Sequence, residues 1–247
     1  MATIILYAII AFILLEFIVT KAIDLLNLKT WDKPIPVELA DLYNAEKFAK
    51  ARQYAKANAK LKTVLGFVSL IVIVAFLWVK GFAWIDSISA NISANIVVQA
   101  LVFFGIIGGA NFLIQLPFSL YSTFVIEQQF GFNKTTWATF FADTFKTILL
   151  SIIIGGGIIA LLAYLHQWLG NGFWIAGWII VSVFMVLLAA FYTSVLLPVF
   201  NKLSPLGAGD LRSAIERYAA KVNFPLTNIF VIDGSKRSSK ANAFFSG

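Results

Sequence analysis

Cysteine is absent from the 247 residues, and histidine occurs once, at His166. The first absence excludes a disulfide framework and any thiolate metal site. The second excludes an H-E-x-x-H zinc helix within these residues, because that motif needs two histidines. Charge is scarce as well. Asp, Glu, Lys and Arg make up 13% of the chain while 60% is hydrophobic, against about a quarter charged and half apolar in a soluble domain. That composition belongs to a membrane protein. No G-x-x-x-x-G-K-[ST] phosphate loop, G-x-S-x-G elbow or glycine-rich dinucleotide fingerprint occurs, so nucleotide and serine-hydrolase chemistry lack their usual markers. Nor is there the internal repeat or the pair of interrupted helices that secondary transporters carry.

What is present is a series of long apolar runs. Five are long enough to cross about 30 Å of hydrocarbon as helices. They run over roughly 2–20, 63–79, 97–116, 147–165 and 173–197. The first has no basic n-region, is too long for a signal peptide and is followed by no A-x-A-like cleavage site, so it reads as a retained anchor.

The net charge of +7 would suit nucleic acid, but its placement speaks against that partner and for anionic lipid headgroups. Nine basic residues lie between the first and second spans, two between the third and fourth, and seven after the fifth. The intervening connections hold only Lys80. Eighteen of nineteen therefore fall on one side of a five-span chain, which predicts an outside N-terminus and a cytoplasmic C-terminal region.

The connections carry their own signals. Glu38 to Lys62 is rich in Ala, Lys and Glu without Gly or Pro, which predicts an exposed helix separated from the first span by Pro34 and Pro36. From Trp137, the residues Phe140, Phe141, Phe145 and Ile148 form one helical face that suits the headgroup layer. Gly105, Gly108 and Gly109, like Gly155, Gly156 and Gly157, suggest close helix approach, with loosely packed kinks as the alternative. Beyond Pro198 the composition changes. Asp210 is placed to cap a helix with Leu211, Ile215, Tyr218 and Val222 on its apolar face. Phe224-Pro225 breaks that helix. Ile229 to Ile232 reads as a short buried strand, Gly234 to Lys240 as a polar loop, and Ala241 to Phe245 as a second strand.

A few polar positions stand out within the spans. Glu16 is either an intramembrane functional carboxylate or a group reaching the interface beside Lys21. Asn111 and Gln115 lie four apart in the third span and either line a wet cavity or bond between helices. His166, beside Trp168 at the outer end of the fourth span, reads as an interfacial residue. Asn91-Ile-Ser93 is a short glycosylation sequon on the predicted outer side.

Three stretches resemble the type I CAAX prenyl protease family of integral membrane zinc metalloproteases. They are PVELADLYNAEKFAKARQYAKANAKLK from Pro36 to Lys62, LPFSLYSTFVIEQQFGFNKTT from Leu116 to Thr136, and LPVFNKLSPL together with the terminal IFVIDGSKRSSKANAFFSG. The resemblance implies an all-α multi-pass membrane protein, seven helices in the family with five of them here, around a water-filled chamber. It also implies the start of an α+β metalloprotease domain, so that 1–200 is the transmembrane domain and 201–247 the beginning of a cytoplasmic protease domain. The family's zinc motif and downstream glutamate are expected beyond Gly247, which leaves no catalytic residue or metal ligand here. The missing C-terminal half of the enzyme would supply them, with zinc polarising water and the substrate carbonyl.

The segment Asn242, Ala243 and Phe244 matches the family's substrate-binding edge strand. The family more often has histidine at the position of Lys240 and tyrosine at that of Phe244, which weakens a side-chain role there but not backbone pairing. The expected activity is zinc-dependent cleavage of membrane-associated peptides. The substrates would be prenylated CAAX termini at an ER membrane, or other membrane-bound polypeptides at a bacterial inner membrane. This chain alone is expected to be inactive. The competing class is a non-catalytic, chaperone-like peptide binder that lacks zinc.

Overall fold

The computed structural model describes residues 2–34 and 44–245. The chain forms two compact units, Met1–Asn133 with Ile159–Gln167, and Lys134–Ile158 with Trp168–Gly247.

In the first unit, α1 (Ala2–Thr30) is apolar around its circumference and ends in a turn ahead of Pro34, which has no N–H to continue a helix. Helix α2 (Ala45–Trp78) starts on Asn44, whose side chain accepts from the Glu46 N–H at 2.8 Å. The sequence suggests an exposed helix to Lys62 and a separate span from Thr63. Instead one unbroken helix of 34 residues runs through both, because nothing from Ala45 to Leu65 breaks helix propensity. At 1.5 Å per residue it is about 51 Å long, well beyond the hydrocarbon thickness, so its Lys-rich first half extends past the apolar layer. That half is not wholly exposed, since Tyr54 and Asn58 are half-buried. The expected helix start at Glu38, and Pro36, lie outside the described residues.

Helices α1 and α2 pack where Gly66 meets Phe17 and Lys21. A Cβ at Gly66 would come within 3.3 Å of Lys21 Cε and 3.4 Å of Phe17 Cε2, and Phe17 and Phe67 meet edge-on at 4.9 Å. Lys80, in a left-handed conformation (φ 57°), turns the chain into α3 (Gly81–Ile92). This short amphipathic helix was not evident from the apolar runs. Its Ser89 is buried and donates to the Ile85 carbonyl at 2.9 Å. Helix α4 (Ile96–Tyr121), capped by Asn95, contains Pro117 and widens into a π-helical turn over Ser122–Glu127. Gly131 (φ 76°) ends it, and the Glu127 carbonyl accepts from the N–H groups of Phe132 and Asn133.

The second unit begins at Lys134, and there Thr136 caps α5 (Trp137–Leu150), which passes through a π-helical turn, Ser151–Gly155, into α6 (Gly156–Leu169), whose residues Ile159–Gln167 belong to the first unit. Beyond Gly170–Gly172, where Gly170 is left-handed (φ 55°), comes α7 (Phe173–Phe191). A further π-helical turn, Tyr192–Leu196, leads into α8 (Leu197–Phe200). Among the described residues four helical runs are long and apolar enough to cross a membrane. The last spans 64 residues, about three times the length that hydrocarbon requires. Its interruption at Gly170 separates the expected fourth and fifth spans.

At five of the six cluster glycines no other helix comes close. A Cβ at Gly105, Gly108, Gly109, Gly155 or Gly157 would meet nothing within 4 Å. The distortion alternative is realised at Gly155, which lies in a π-helical turn.

Strand β1 (Leu203–Pro205) pairs antiparallel with β2 (Phe230–Ile232), and Ser204 faces Val231. The strand expected at Ile229–Ile232 is present but not buried, because Phe230 and Val231 are exposed. Between the strands lies α9 (Asp210–Lys221). Asp210 is its first residue rather than its cap, which is Gly209 without a side-chain bond. The predicted apolar face is offset too. Ala219 is buried, whereas Leu211 and Tyr218 are 64% and 68% exposed. No strand forms at Ala241–Phe245, because among the described residues β2 pairs only with β1 and an unpartnered segment has no ladder.

The spans carry their large apolar side chains outward. Phe12, Leu113 and Trp178 are 72%, 68% and 70% exposed. Water would penalise each by about 1.5–3 kcal/mol relative to burial, so hydrocarbon is the solvent that this surface fits.

Candidate functional site

In the first unit, the end of α4 and the Lys-rich first half of α2 converge on Tyr54. Its hydroxyl donates to Glu127, and its ring meets Phe130 and Phe132 edge-on at 5.3 and 5.2 Å. Phe130 and Ile126 are buried beside it. The widened turn at Ser122–Glu127 and the left-handed Gly131 place Glu127, Phe130 and Phe132 around one side chain. Neither residue of the Tyr54–Glu127 pair stood out in the sequence, although Glu127 lies inside the FVIEQQFGFN stretch.

In the second unit, Arg237 organises the approach to the terminal segment. Its Nε and Nη2 donate to the two Asp143 oxygens at 2.6 and 2.9 Å. Nη2 also donates to the Phe200 carbonyl at 2.6 Å, and Nη1 to Asn201 Oδ1 at 3.3 Å. Its own carbonyl accepts from the Lys134 N–H and the Thr135 hydroxyl, both at 3.0 Å. Asp143 holds the guanidinium above its ordinary basicity, against the opposing effect of partial burial. Close by, Asp233 accepts from Lys236 Nζ at 2.7 Å and from the Lys202 N–H at 2.7 Å. Lys236 first, then Lys202, holds this carboxyl below its ordinary value. These contacts fasten the 233–237 turn to α5 and to the end of α8. The sequence counted Arg237 only as a basic residue, because its partner lies 94 positions away.

The predicted substrate segment follows that anchored turn. Asn242, Ala243 and Phe244 are exposed and make no hydrogen bond to another segment among the described residues. The Asn242 side chain is turned onto its own backbone, accepting from the Ala243 N–H at 2.9 Å. Phe245 rests against Phe224 with ring centroids 5.6 Å apart.

The intramembrane polar positions are not brought together. Glu16 accepts from the Thr20 hydroxyl at 3.1 Å. Lys21 pairs with Asp24 at 2.8 Å instead of with Glu16, one helical turn being the shorter reach for an ammonium in that direction. Asn111 and Gln115 share an exposed face of α4 and bond to no other helix among the described residues. No group of three His, Cys, Asp or Glu side chains that could hold a metal occurs among the described residues, so the residues present do not fit a zinc site.

Long apolar helices with outward apolar side chains, followed by a small α+β region, define a multi-pass membrane protein, and comparison with known proteins specifies which. A family described as "CAAX prenyl protease N-terminal, five membrane helices" matches residues 24–202, and peptidase family M48 matches residues 205–247. The chain belongs to the CAAX prenyl protease family, a metalloprotease family. It is 40% identical over 151 residues to CAAX prenyl protease 1 of Saccharomyces cerevisiae, covering 61% of this chain and 33% of that protein. It is 33% identical over 248 residues to the CAAX prenyl protease 1 homolog of Oryza sativa, covering 97% of this chain and 58% of that protein. The crystal structure of Ste24p from S. mikatae superposes with a TM-score of 0.88 at 33% identity, over 98% of this chain and 58% of that one. The chain thus spans about a third to three fifths of the relatives it matches.

Proposed function

We propose that this chain is the transmembrane domain (1–200) and the start of the protease domain (201–247) of a zinc endopeptidase that cleaves membrane-associated peptides. The observation that carries the reading is the match along nearly the whole chain to the S. mikatae protease structure and to the rice homologue. Zinc is the metal we assign to the family chemistry. Its ligands would come from further residues of the complete enzyme, since the described residues supply no set that fits, and this chain alone would neither hold zinc nor cleave peptides. Prenylated CAAX termini are the substrates we assign in a eukaryotic ER membrane, and other membrane-bound polypeptides in a bacterial inner membrane. The C-terminal region would face the cytoplasm, as the bias of basic residues supports.

Within that enzyme, the backbone of Asn242 to Phe244 would pair with an extended substrate. An exposed segment whose backbone makes no hydrogen bond to another segment among the described residues is able to hold a peptide regardless of its sequence, and proteolysis needs one peptide bond fixed in position. The anchoring of the 233–237 turn supports this reading, because it fixes where the segment begins. Asn111, Gln115 and Glu16 would be wetted rather than bonded between helices.

The test is Ala243→Pro and Asn242→Ala in the complete enzyme. Proline removes one N–H and restrains the residue before it, so turnover should fall at least tenfold while zinc content and thermal stability hold. Wild-type turnover in both variants would reduce the segment to scaffold. Stoichiometric zinc or chelator-sensitive cleavage by the 247-residue chain would overturn the expectation that it is inert.

A further inference from the structure

Beside the Arg237 anchor, the second unit has an open cleft of about 560 Å³ between the end of α8 and the 233–237 turn. Lys146, Lys202, Lys236 and Arg237 line it, with Asp233 as the single carboxylate. Each charge can be followed to its partner. Arg237 is held by Asp143 outside the lining, and Asp233 by Lys236 and the Lys202 N–H. Lys146 Nζ spends one donor on the Val199 carbonyl at 2.9 Å, leaving two of its three. The Lys202 ammonium makes no hydrogen bond or ion pair among the described residues. The cleft therefore has a surplus of positive charge, unused ammonium donors, and room for a phosphorylated headgroup.

Its depth is set by the same elements. The Phe200 carbonyl and Lys202 stand where the apolar run of α7 and α8 ends. Lys146 lies on α5, whose outward stripe of Trp137, Phe141 and Phe145 is 52–66% exposed. A helix with an aromatic stripe on one side and charges on the other lies at the boundary between headgroup and acyl chain. Phosphate groups of lipids occupy that level.

We propose that this cleft binds the phosphate of an anionic lipid headgroup, with Lys202, Lys236 and Lys146 as donors and Asp233 holding the turn in place. The proposal rests on the chain crossing the membrane, not on its proteolytic activity. Phosphate donors of this kind would also accept a free phosphate, so the experiment has an arm for each source.

The purified chain in neutral detergent is titrated with short-chain phosphatidic acid, short-chain phosphatidylcholine and inorganic phosphate. Phosphatidic acid should bind saturably, while phosphatidylcholine should not, and inorganic phosphate in large excess should fail to displace the lipid. Lys202→Gln, whose ammonium has no partner to leave behind, should weaken binding about fivefold, the effect of one lysine near an anionic surface. Lys202→Gln with Lys236→Gln should weaken it about thirtyfold, whereas Lys47→Gln with Lys60→Gln on α2 should stay within twofold. Circular dichroism and gel-filtration elution report that the fold is kept. Equal weakening by the α2 pair, or equal binding of phosphatidylcholine, would overturn the site, and competition by inorganic phosphate as strong as by the lipid would overturn its assignment to lipid.

Discussion

At the scale of single residues, the second unit depends most on Arg237. It is partly buried, with 27% of its side-chain surface exposed against 23% for Asp143, and its guanidinium satisfies acceptors on three residues, Asp143, Phe200 and Asn201. Removing it leaves Asp143 partly desolvated, with the weaker influence of Lys146 as counter-charge. Arg237→Ala should destabilise the second unit by about 2 kcal/mol, within the range for charged hydrogen bonds discounted for partial exposure. Thermal unfolding in detergent measures the loss. Asp143→Asn with Arg237→Gln should cost less than the sum of the two single changes, since neither charge is then left alone. Asp233, nearby, gives a pH dependence of known sign. Its carboxyl is held below the ordinary 3.8 by Lys236 and by the Lys202 N–H. The turn is therefore supported while pH stays above that ordinary value, and the support is lost as pH falls through the depressed one. The melting-temperature difference between wild type and Asp233→Asn should be constant near neutrality and shrink only once the pH has fallen below the ordinary carboxylate value of 3.8. A difference that grew on acidification would contradict the pairing.

At the scale of elements, periodicity and length served well where a helix stands alone, and less well where partners decide. The apolar runs located every long helix, because a span must satisfy its backbone internally and so announces itself over about 20 residues. The union of the Lys-rich segment with the second span was foreshadowed by the absence of any breaker from Ala45 to Leu65, yet splitting it by polarity hid the 34-residue helix. α3 escaped because twelve residues are too few to cross a membrane and so leave no long apolar run. The missing strand at Ala241–Phe245 shows the converse: a strand is defined by its neighbour, which no local pattern supplies. Tight element contacts are testable too. A Cβ at Gly81 would strike the Phe76 ring, so the α2–α3 corner tolerates only glycine in this packing. Gly81→Val should lower thermal stability by about 1–3 kcal/mol, the usual cost of overpacking, and Phe76→Ala in the same chain should recover part of the loss. If Gly81→Val alone melts like wild type, the corner is looser than its geometry indicates.

At the scale of the whole molecule, charge decides what packing does not. The family and the helical content were legible from long runs and three motif stretches. The anchoring of Arg237 was not, because an ion pair across 94 positions leaves no local trace. The expected orientation rests on a different kind of signal, a sum over all nineteen basic residues that survives error at any one of them. Eighteen fall in alternate connections and only Lys80 falls in the others. Placing a lysine or arginine at the bilayer centre costs about 2.5–3.5 kcal/mol, and basic segments near an anionic cytoplasmic leaflet are favoured by about 1 kcal/mol each, so reversing the chain would forfeit many such contributions at once. The native chain contains no cysteine, so single cysteines report position without background. Lys56→Cys on the first half of α2 and Gly207→Cys after β1 should react with an impermeant maleimide only after the cytoplasmic face is opened. Asp86→Cys on α3 should react in intact cells or sealed vesicles of native orientation. Reaction of the Lys56 and Asp86 positions from the same side would mean an even number of crossings between them. The apolar second half of α2, Thr63 to Trp78, would then not be a span, and the five-crossing arrangement would fall with it.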